Sequence, residues 1–338
     1  MIAGLSRATP VLVQGIAGRM GRTHAALMRA YGTNIVAGVA ARMSTAGVAA
    51  RTPTAGVVAP MSTAGVAARM PTSGVAAPVE ATEIAGVPVF ATCAAAVAAT
   101  GAVVSVALTP PAETLAAARE AFAAGIRLLV TVAEGVPAHD ALRIGRAARE
   151  VGATWVGAST PGLAIPGELK LGFLPDVALR PGPLGMMSKS GTLSYEVGWR
   201  LARAGLGQSL WVGVGGDPVK GVRFADLVPV FLDDPRTRAI VLVGEVGGTE
   251  EEDCADTYAA AYAALGTAKP LYALIAGREA KEGVAMGHAG ALVHGTSGTL
   301  AEKTRRLAAA GALVFPSIEA LVQRCTADFG IDGATGHG

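Results

Sequence analysis

Short β-branched runs alternate with alanine-rich helical stretches along most of the 338 residues. PVLVQG (10–15) reads as a strand, 21–31 as a helix, NIVAGV (34–39) and VVSVAL (103–108) as strands, and 111–125 as a helix. RLLVTVAEG (127–135) follows as strand and loop, then 138–152 as a helix ending in glycine. Strands separated by helices need crossover connections, which predicts a parallel, doubly wound sheet. The rhythm breaks in TPGLAIPGELKLGFLPDVALRPGPLG (160–185), whose prolines and glycines mark a domain boundary. It restarts with LGMMSKSG, a helix, SLWVGVGGDP, a helix, RAIVLVGEVGG, a helix, KPLYALIAG, a glycine-rich loop, a helix and GALVF. The reading is therefore α/β, with one domain over 1–160, a second over 180–326, and a disordered tail over 327–338.

Composition narrows the function classes. The net charge of +2 offers no global field for nucleic acid or an anionic membrane. Aromatic residues at 4% are too few for a base-stacking platform. Cys93, Cys254 and Cys325 form no CxxC and no metal-ligand spacing, which suits a reduced, cytoplasmic protein. The opening MIAGLSRATPVLVQG lacks the apolar run of a secretory signal. The uncharged run from Ile84 to Leu108 is long enough to span a bilayer, but it holds Pro88 and Gly101 and is mostly Ala, Val and Thr. It reads as strand, helix and strand in a buried core.

The first strand runs into Gly15-Ile16-Ala17-Gly18-Arg19-Met20-Gly21 and then a helix. Glycines there let backbone N–H groups at a helix N-terminus approach a phosphate. The spacing is GxxGxxG, and the second strand ends GVAAR without the acid that dinucleotide sites use. A nucleotide bearing a ribose phosphate fits better than NAD, and a tight turn with no ligand is the alternative. Ser188-Lys189-Ser190-Gly191-Thr192 lies between strand and helix, either an anion site or an ordinary N-cap.

Met286-Gly287-His288-Ala289-Gly290 leaves a histidine unshielded between glycines, after a predicted strand. Such a side chain can act as a nucleophile, or it can be a plain surface histidine. Glu245, at the end of another strand in GEVGG, is the type of carboxylate that fixes a histidine tautomer. His24 and His139 read as helix-start residues, His294 follows a strand, and His337 lies in the tail.

Seven blocks in order, VQGIAGRMG, TVAEGVP, TPGLAIPGELKLGFLP, SKSGTLSYE, GVGGDPVKG, GEVGGTEEE and MGHAGALV, give a specific match. Together they resemble the α subunit of succinyl-CoA synthetase (succinate–CoA ligase) across nearly the whole chain outside 40–82. The resemblance implies an N-terminal CoA-binding Rossmann-like domain followed by a flavodoxin-like ligase domain. It implies His288 as the transient phosphohistidine and Glu245 as the glutamate beside it. Ser188, Ser190 and Gly191 would receive the phosphoryl group, with Ser194 and Tyr195 near the carboxylate substrate. Ala17, Gly18, Arg19, Met20, Val132, Ala133 and Glu134 match the CoA loops. A separate ATP-grasp β subunit, in an αβ or α2β2 assembly, is implied as the main binder of ATP or GTP with Mg. The implied reaction forms an acyl-CoA from a small carboxylic acid, succinate first and malate or another dicarboxylate as alternatives. Ala17 replaces the family's threonine, Gly157-Ala158-Ser159-Thr160-Pro161-Gly162 lacks its Pro-Asn pair, and Lys189 replaces its arginine. These departures keep open a CoA-binding protein without turnover.

Residues 37–78 repeat a nine-residue unit, AGVAARMST, AGVAARTPT, AGVVAPMST, AGVAARMPT, SGVAAP. The first copy begins inside the second strand, so the rest reads as tandem duplication of a strand end, a long flexible loop at about 40–82 rather than a solenoid. Loop length adds closure cost only logarithmically. The insertion replaces the family's lysine loop, and Arg42 is the nearest cation for a CoA phosphate.

Overall fold

The computed structural model describes residues 2–40, 82–266, 269–277 and 298–330. Arg42, His288, His294, His337, the repeat from residue 41 onward and the segment 331–338 lie outside the described residues.

The first sheet has seven strands: β1 (Val11–Gln14), β2 (Ile35–Val39), β3 (Thr82–Ile84), β4 (Val87–Phe90), β5 (Val104–Ala107), β6 (Leu128–Thr131) and β7 (Thr154–Val156). Their order is β3-β4-β2-β1-β5-β6-β7, with only edge strand β3 antiparallel. The six parallel strands thus run 3-2-1-4-5-6, the order of Rossmann sheets. Side chains two apart separate into two cores. Val11, Val13, Leu128 and Val130 pack on one face with Met28 of α1 (Arg19–Tyr31). Leu12, Leu129 and Trp155 pack on the other with α2 (Cys93–Thr100), α3 (Thr114–Ala123) and α4 (Ala138–Glu150). The run from Ile84 to Leu108 is accordingly strand, helix and strand. Among the described residues no helix is long and apolar enough to cross a membrane.

The second sheet contains β8 (Gly162–Ile165), β9 (Leu169–Gly172), β10 (Pro181–Ser188), β11 (Gln208–Gly213), β12 (Ala239–Glu245), β13 (Leu271–Ala276) and β14 (Leu313–Phe315). The order is β14-β13-β12-β10-β11-β8-β9. Its five parallel strands, β10 to β14, follow the flavodoxin-like 2-1-3-4-5 order. Helices α5 (Gly191–Arg203), α6 (Phe224–Asp233), α7 (Glu250–Leu265), α8 (Leu300–Ala309) and α9 (Ile318–Phe329) cover it.

Three details differ from the sequence reading. The Pro/Gly-rich stretch 160–185 holds an antiparallel hairpin, β8–β9, that extends the second sheet. Its prolines and glycines sit at the turn and rims, so composition reads as linker while Leu163, Ile165, Leu169 and Leu171 enter the core. Helix α9 runs to Phe329, so residues 327–329 are helical, and Phe329 packs against Tyr272 at 6.3 Å between ring centroids. Helix α1 starts at Arg19, which leaves His24 inside the helix, its ring tilted against Phe173 at 4.1 Å between centroids, rather than at its start.

The hairpin fastens the two domains. Thr33 Oγ1 donates to the Lys170 carbonyl (2.8 Å) and accepts from the Lys170 N–H (3.0 Å), both buried. Tyr31 Oη accepts from Gly167 N–H at 3.0 Å, and Arg7 donates to the Gly167 carbonyl at 2.7 Å. Thr33→Val keeps the shape but strands both Lys170 backbone groups, so it should cost about 2 kcal/mol in a denaturant titration. An unchanged midpoint would show that the contact adds nothing.

Candidate active site

In open parallel sheets a ligand crevice forms outside the carboxyl ends of the strands, where the strand order reverses. Each sheet has one such point. In the first it lies between β1 and β5. Gly15 takes φ 75°, and a Cβ there would stand 2.6 Å from the Leu108 carbonyl oxygen. A Cβ at Gly21 would stand 2.1 Å from the Gly15 carbonyl oxygen. The first and third glycines of GxxGxxG therefore seat α1 against the strand end. Gly18 is different: it is the N-cap, without a side-chain cap, and its surroundings would only touch a Cβ at 3.4 Å. The first-turn N–H groups of α1 are left for a ligand.

A cleft of about 490 Å³ opens at this point. Gly18, Arg19, Met20, Val132, Ala133 and Glu134 line it together, six of the residues expected at a CoA site. Ala17 sits behind them, its carbonyl accepting from Arg22 Nε at 3.0 Å. Leu108 to Pro111 and Phe173 complete the wall. Phe173 belongs to the second domain, from just beyond β9, and local sequence gives no sign of its position. The apolar wall and free helix N-terminus suit a ligand with an apolar body and phosphates at one end.

In the second sheet the reversal lies between β10 and β12. Ser190 caps α5, its Oγ accepting from Leu193 N–H at 3.3 Å. Ser188, at the end of β10, donates its hydroxyl to the Ser190 carbonyl at 2.7 Å, and Ser194 donates to the Gly191 carbonyl at 2.8 Å. The N–H groups of Gly191 and Thr192 face outward without intrahelical acceptors, a place for an anion. Tyr195 rises beside Gly191, its hydroxyl 3.4 Å from where a Cβ there would lie. Burial pushes its pKa up, which keeps the phenol protonated. Glu245 ends β12, buried, its N–H donating to Glu251 Oε1 at 3.0 Å.

The segment 157–162 joins the two crevices. Ser159 N–H donates to the Ala133 carbonyl at 2.8 Å, and Gly221 N–H to the Gly157 carbonyl at 2.7 Å. A Cβ at Gly215 would collide with the Ala158 carbonyl oxygen at 2.1 Å, while Val214 N–H donates to the Ser188 carbonyl at 2.8 Å. Ser159 holds φ 57°, an uncommon place for a residue with a Cβ, at the position where the sequence departs from the expected Pro-Asn pair. Another cavity, of about 440 Å³, lies at the ends of β13 and β14. Its described lining, Leu193, Leu274, Ile275, Val314 and their neighbours, contains no ionisable side chain.

Beneath the second crevice runs a buried chain of six charges. Lys220 Nζ meets Glu250 at 2.9 Å, and Lys189 Nζ meets Glu250 at 3.7 Å and Glu251 at 2.9 Å. Lys303 Nζ meets Glu251 at 2.6 Å and Glu252 at 2.7 Å. The Lys303 and Glu251 side chains are 0% exposed. Burial alone would lower the Lys189 pKa, but Glu251 and then Glu250 outweigh it and hold the ammonium above its ordinary 10.5. Burial likewise opposes the Glu251 carboxylate, and Lys189 and Lys303 overcome it, holding its pKa below 4.5. Burial wins at Lys220, whose pKa is lowered despite Glu250. Among the described residues no cluster of three or more His, Cys, Asp or Glu could hold a metal ion.

These shifts set the signs of the pH response. Glu251 contributes stability that is present above its unfolded pKa and lost as pH falls through its lower folded value. Lys189 contributes stability that is present below 10.5 and lost as pH rises through its raised folded value. Lys303→Met leaves Glu251 and Glu252 short of a cation and should cost about 3–5 kcal/mol near neutral pH. Adding Glu252→Gln should return part of that loss in a double-mutant cycle. Strictly additive costs would mean that the pair does not interact.

Comparison with known proteins agrees with this geometry. The CoA binding domain model matches residues 62–135 and the CoA-ligase model residues 187–313. The succinate–CoA ligase [ADP-forming] subunit alpha 1 of Archaeoglobus fulgidus is 40% identical over 306 residues, 90% of this chain and 91% of that protein. The malate–CoA ligase subunit alpha of Methylorubrum extorquens is 36% identical, covering 91% and 92%. An ADP-forming sulfoacetate-CoA ligase subunit of Bilophila wadsworthia is 42% identical over 69% of this chain and 79% of its own. ATP citrate lyase from Methanothrix soehngenii, solved with citrate and coenzyme A, shares the fold with a TM-score of 0.73 at 21% identity. This chain, 95% covered, spans about half (49%) of that one. With a CoA-binding Rossmann-like domain, a flavodoxin-like CoA-ligase domain, and relatives alike over nine-tenths of its length, the chain belongs to the succinate–CoA ligase α-subunit family of acid–thiol ligases.

Proposed function

We propose that this chain is the α subunit of a nucleoside-diphosphate-forming succinate–CoA ligase that works with an ATP-grasp β subunit. The observation that carries the reading is the shared border of the two crevices: Ser159 bonds the Ala133 loop of the cleft, and Val214 bonds Ser188 at the mouth of α5. In this reading a thiol delivered along the cleft would emerge towards the α5 mouth, where an acyl phosphate would be held.

In this reading ATP or GTP, with Mg held mainly by the partner, phosphorylates His288. The phosphoryl group passes to the substrate carboxylate, and the CoA thiol displaces phosphate. Phosphoryl transfer depends chiefly on positioning and charge neutralisation. The α5 N-terminus offers the phosphoryl oxygens the N–H groups of Gly191 and Thr192, with the Ser188 and Ser190 hydroxyls beside them. Tyr195, a neutral donor, lies on the carboxylate side, while the buried Ser194 hydroxyl, bonded to the Gly191 carbonyl, supports the first turn of α5. Glu245 orients the histidine. Gly18, Arg19 and Met20 take the CoA phosphates on the first turn of α1, and Arg42 adds a cation from the inserted loop. Malate or sulfoacetate as the acid is the second reading, favoured by the 36% and 42% identity to subunits of those ligases.

The test is intact mass after co-expression with a candidate β subunit and treatment with Mg-ATP or Mg-GTP. One acid-labile phosphoryl group, absent in His288→Ala, is expected. Unmodified protein that still binds CoA would instead favour a binding protein without turnover. Arg19→Ala and Arg42→Ala should each weaken CoA binding about tenfold by calorimetry, the order of one charge-assisted phosphate contact. Unchanged affinity removes that residue from the site.

A further inference from the structure

The buried charge chain converges on one carboxylate. Glu251 Oε1 accepts from the Glu245 backbone N–H at 3.0 Å, and Lys189 Nζ lies 2.9 Å and 3.0 Å from its two oxygens. Lys303, bonded to Glu251 Oε2 at 2.6 Å, also donates to the Gly248 carbonyl at 3.0 Å. One side chain therefore touches the loop after β10 through Lys189, the end of β12 through Glu245, and α8 through Lys303. The backbone makes room for it: a Cβ on Gly244 would stand 2.6 Å from Glu251 Oε1. Lys189 lies between Ser188 and Ser190, yet its ammonium points inward to Glu251 rather than to the mouth of α5.

We propose that Glu251 is a positioning residue, which acts through Lys189 and the Glu245 backbone to hold the α5 anion site and the Glu245 carboxylate in fixed relation. The inference rests on reading the mouth of α5 as the phosphoryl site. It makes Glu251 a support that touches neither phosphate nor acid. It also accounts for Lys189 at a position where a cation would otherwise be expected to reach the phosphate.

Electrostatics alone and positioning predict opposite signs. Glu251→Gln removes a negative charge from beneath an anion site, so simple Coulomb reasoning gives tighter phosphate binding. Loss of positioning gives weaker binding. The experiment is calorimetric titration of inorganic phosphate into the full-length chain, with CoA titrated separately as a control for the folded first domain. Glu251→Gln should weaken phosphate binding at least about tenfold while CoA affinity stays unchanged. Gly244→Ala, which displaces the carboxylate without removing its charge, should do the same and serves if the Gln variant fails to fold. Glu252→Gln alters the end member of the charge network, whose ion-pair partner among the described residues is Lys303, and should lower the melting temperature without changing phosphate affinity. Phosphate binding unchanged or tightened in both Glu251→Gln and Gly244→Ala overturns the positioning role alone. A wild-type chain that binds CoA but no phosphate overturns the reading of the α5 mouth, and the inference with it.

Discussion

A Cβ at Gly21 would stand 2.1 Å from the Gly15 carbonyl oxygen, one at Gly215 2.1 Å from that of Ala158, and one at Gly221 1.9 Å from that of Trp155. These approaches are closer than any side chain permits, and they lie at the carboxyl ends of the two sheets or on the loops leading from them. Because backbone can meet backbone there, α1 sits on the end of β1 with its first-turn N–H groups open. For the same reason the 157–162 segment wedges between the Ala133 loop and the Gly213–Gly215 strand end. The crevices follow from this constraint, since ordinary side chains at those positions would push the loops apart and fill the space.

The three consecutive glutamates of GGTEEE would ordinarily be read as a solvated helix start. Here all three are buried at the first turn of α7, where the helix dipole favours negative charge. The dipole cannot by itself offset desolvation of three carboxylates, so Lys189, Lys220 and Lys303 enter from three different loops or helices. Their arrangement is alternating, and the charges balance. Such a network adds little net stability compared with an apolar core, but it holds the loops that contribute its members to one geometry. That matters for chemistry that works by placement of groups rather than by their intrinsic reactivity.

Much of the fold was legible in the chain. Short continuous apolar runs, Val11-Leu12-Val13 and Leu128-Leu129-Val130, gave the strands, because both faces of the sheet are buried, each against its own core. The GxxGxxG and Ser188–Thr192 stretches were readable as helix starts because caps and close approaches are local. Hairpin β8–β9 was not, since its turn and rim residues carry the composition of a linker and only pairing with β11 makes it part of a sheet. Helix α9 was missed because its apolar face is thin, Leu321 and Cys325 being its fully buried members. Phe173 in the cleft wall and the Lys189–Glu251 contact, 62 residues apart, leave no local trace.

The sequence by itself determined the two α/β units, the order of most of their elements, the glycine-led helix starts, and the family, because each rests on local periodicity or on motifs in fixed order. The tertiary structure alone decided that the two crevices share a border at 157–162, that Lys189 turns inward, and that Glu251 lies at the centre of a balanced chain. Those depend on which loops the two strand-order reversals bring together. A charge's role is fixed by its neighbours in space and by its distance from water, neither of which the order of residues records.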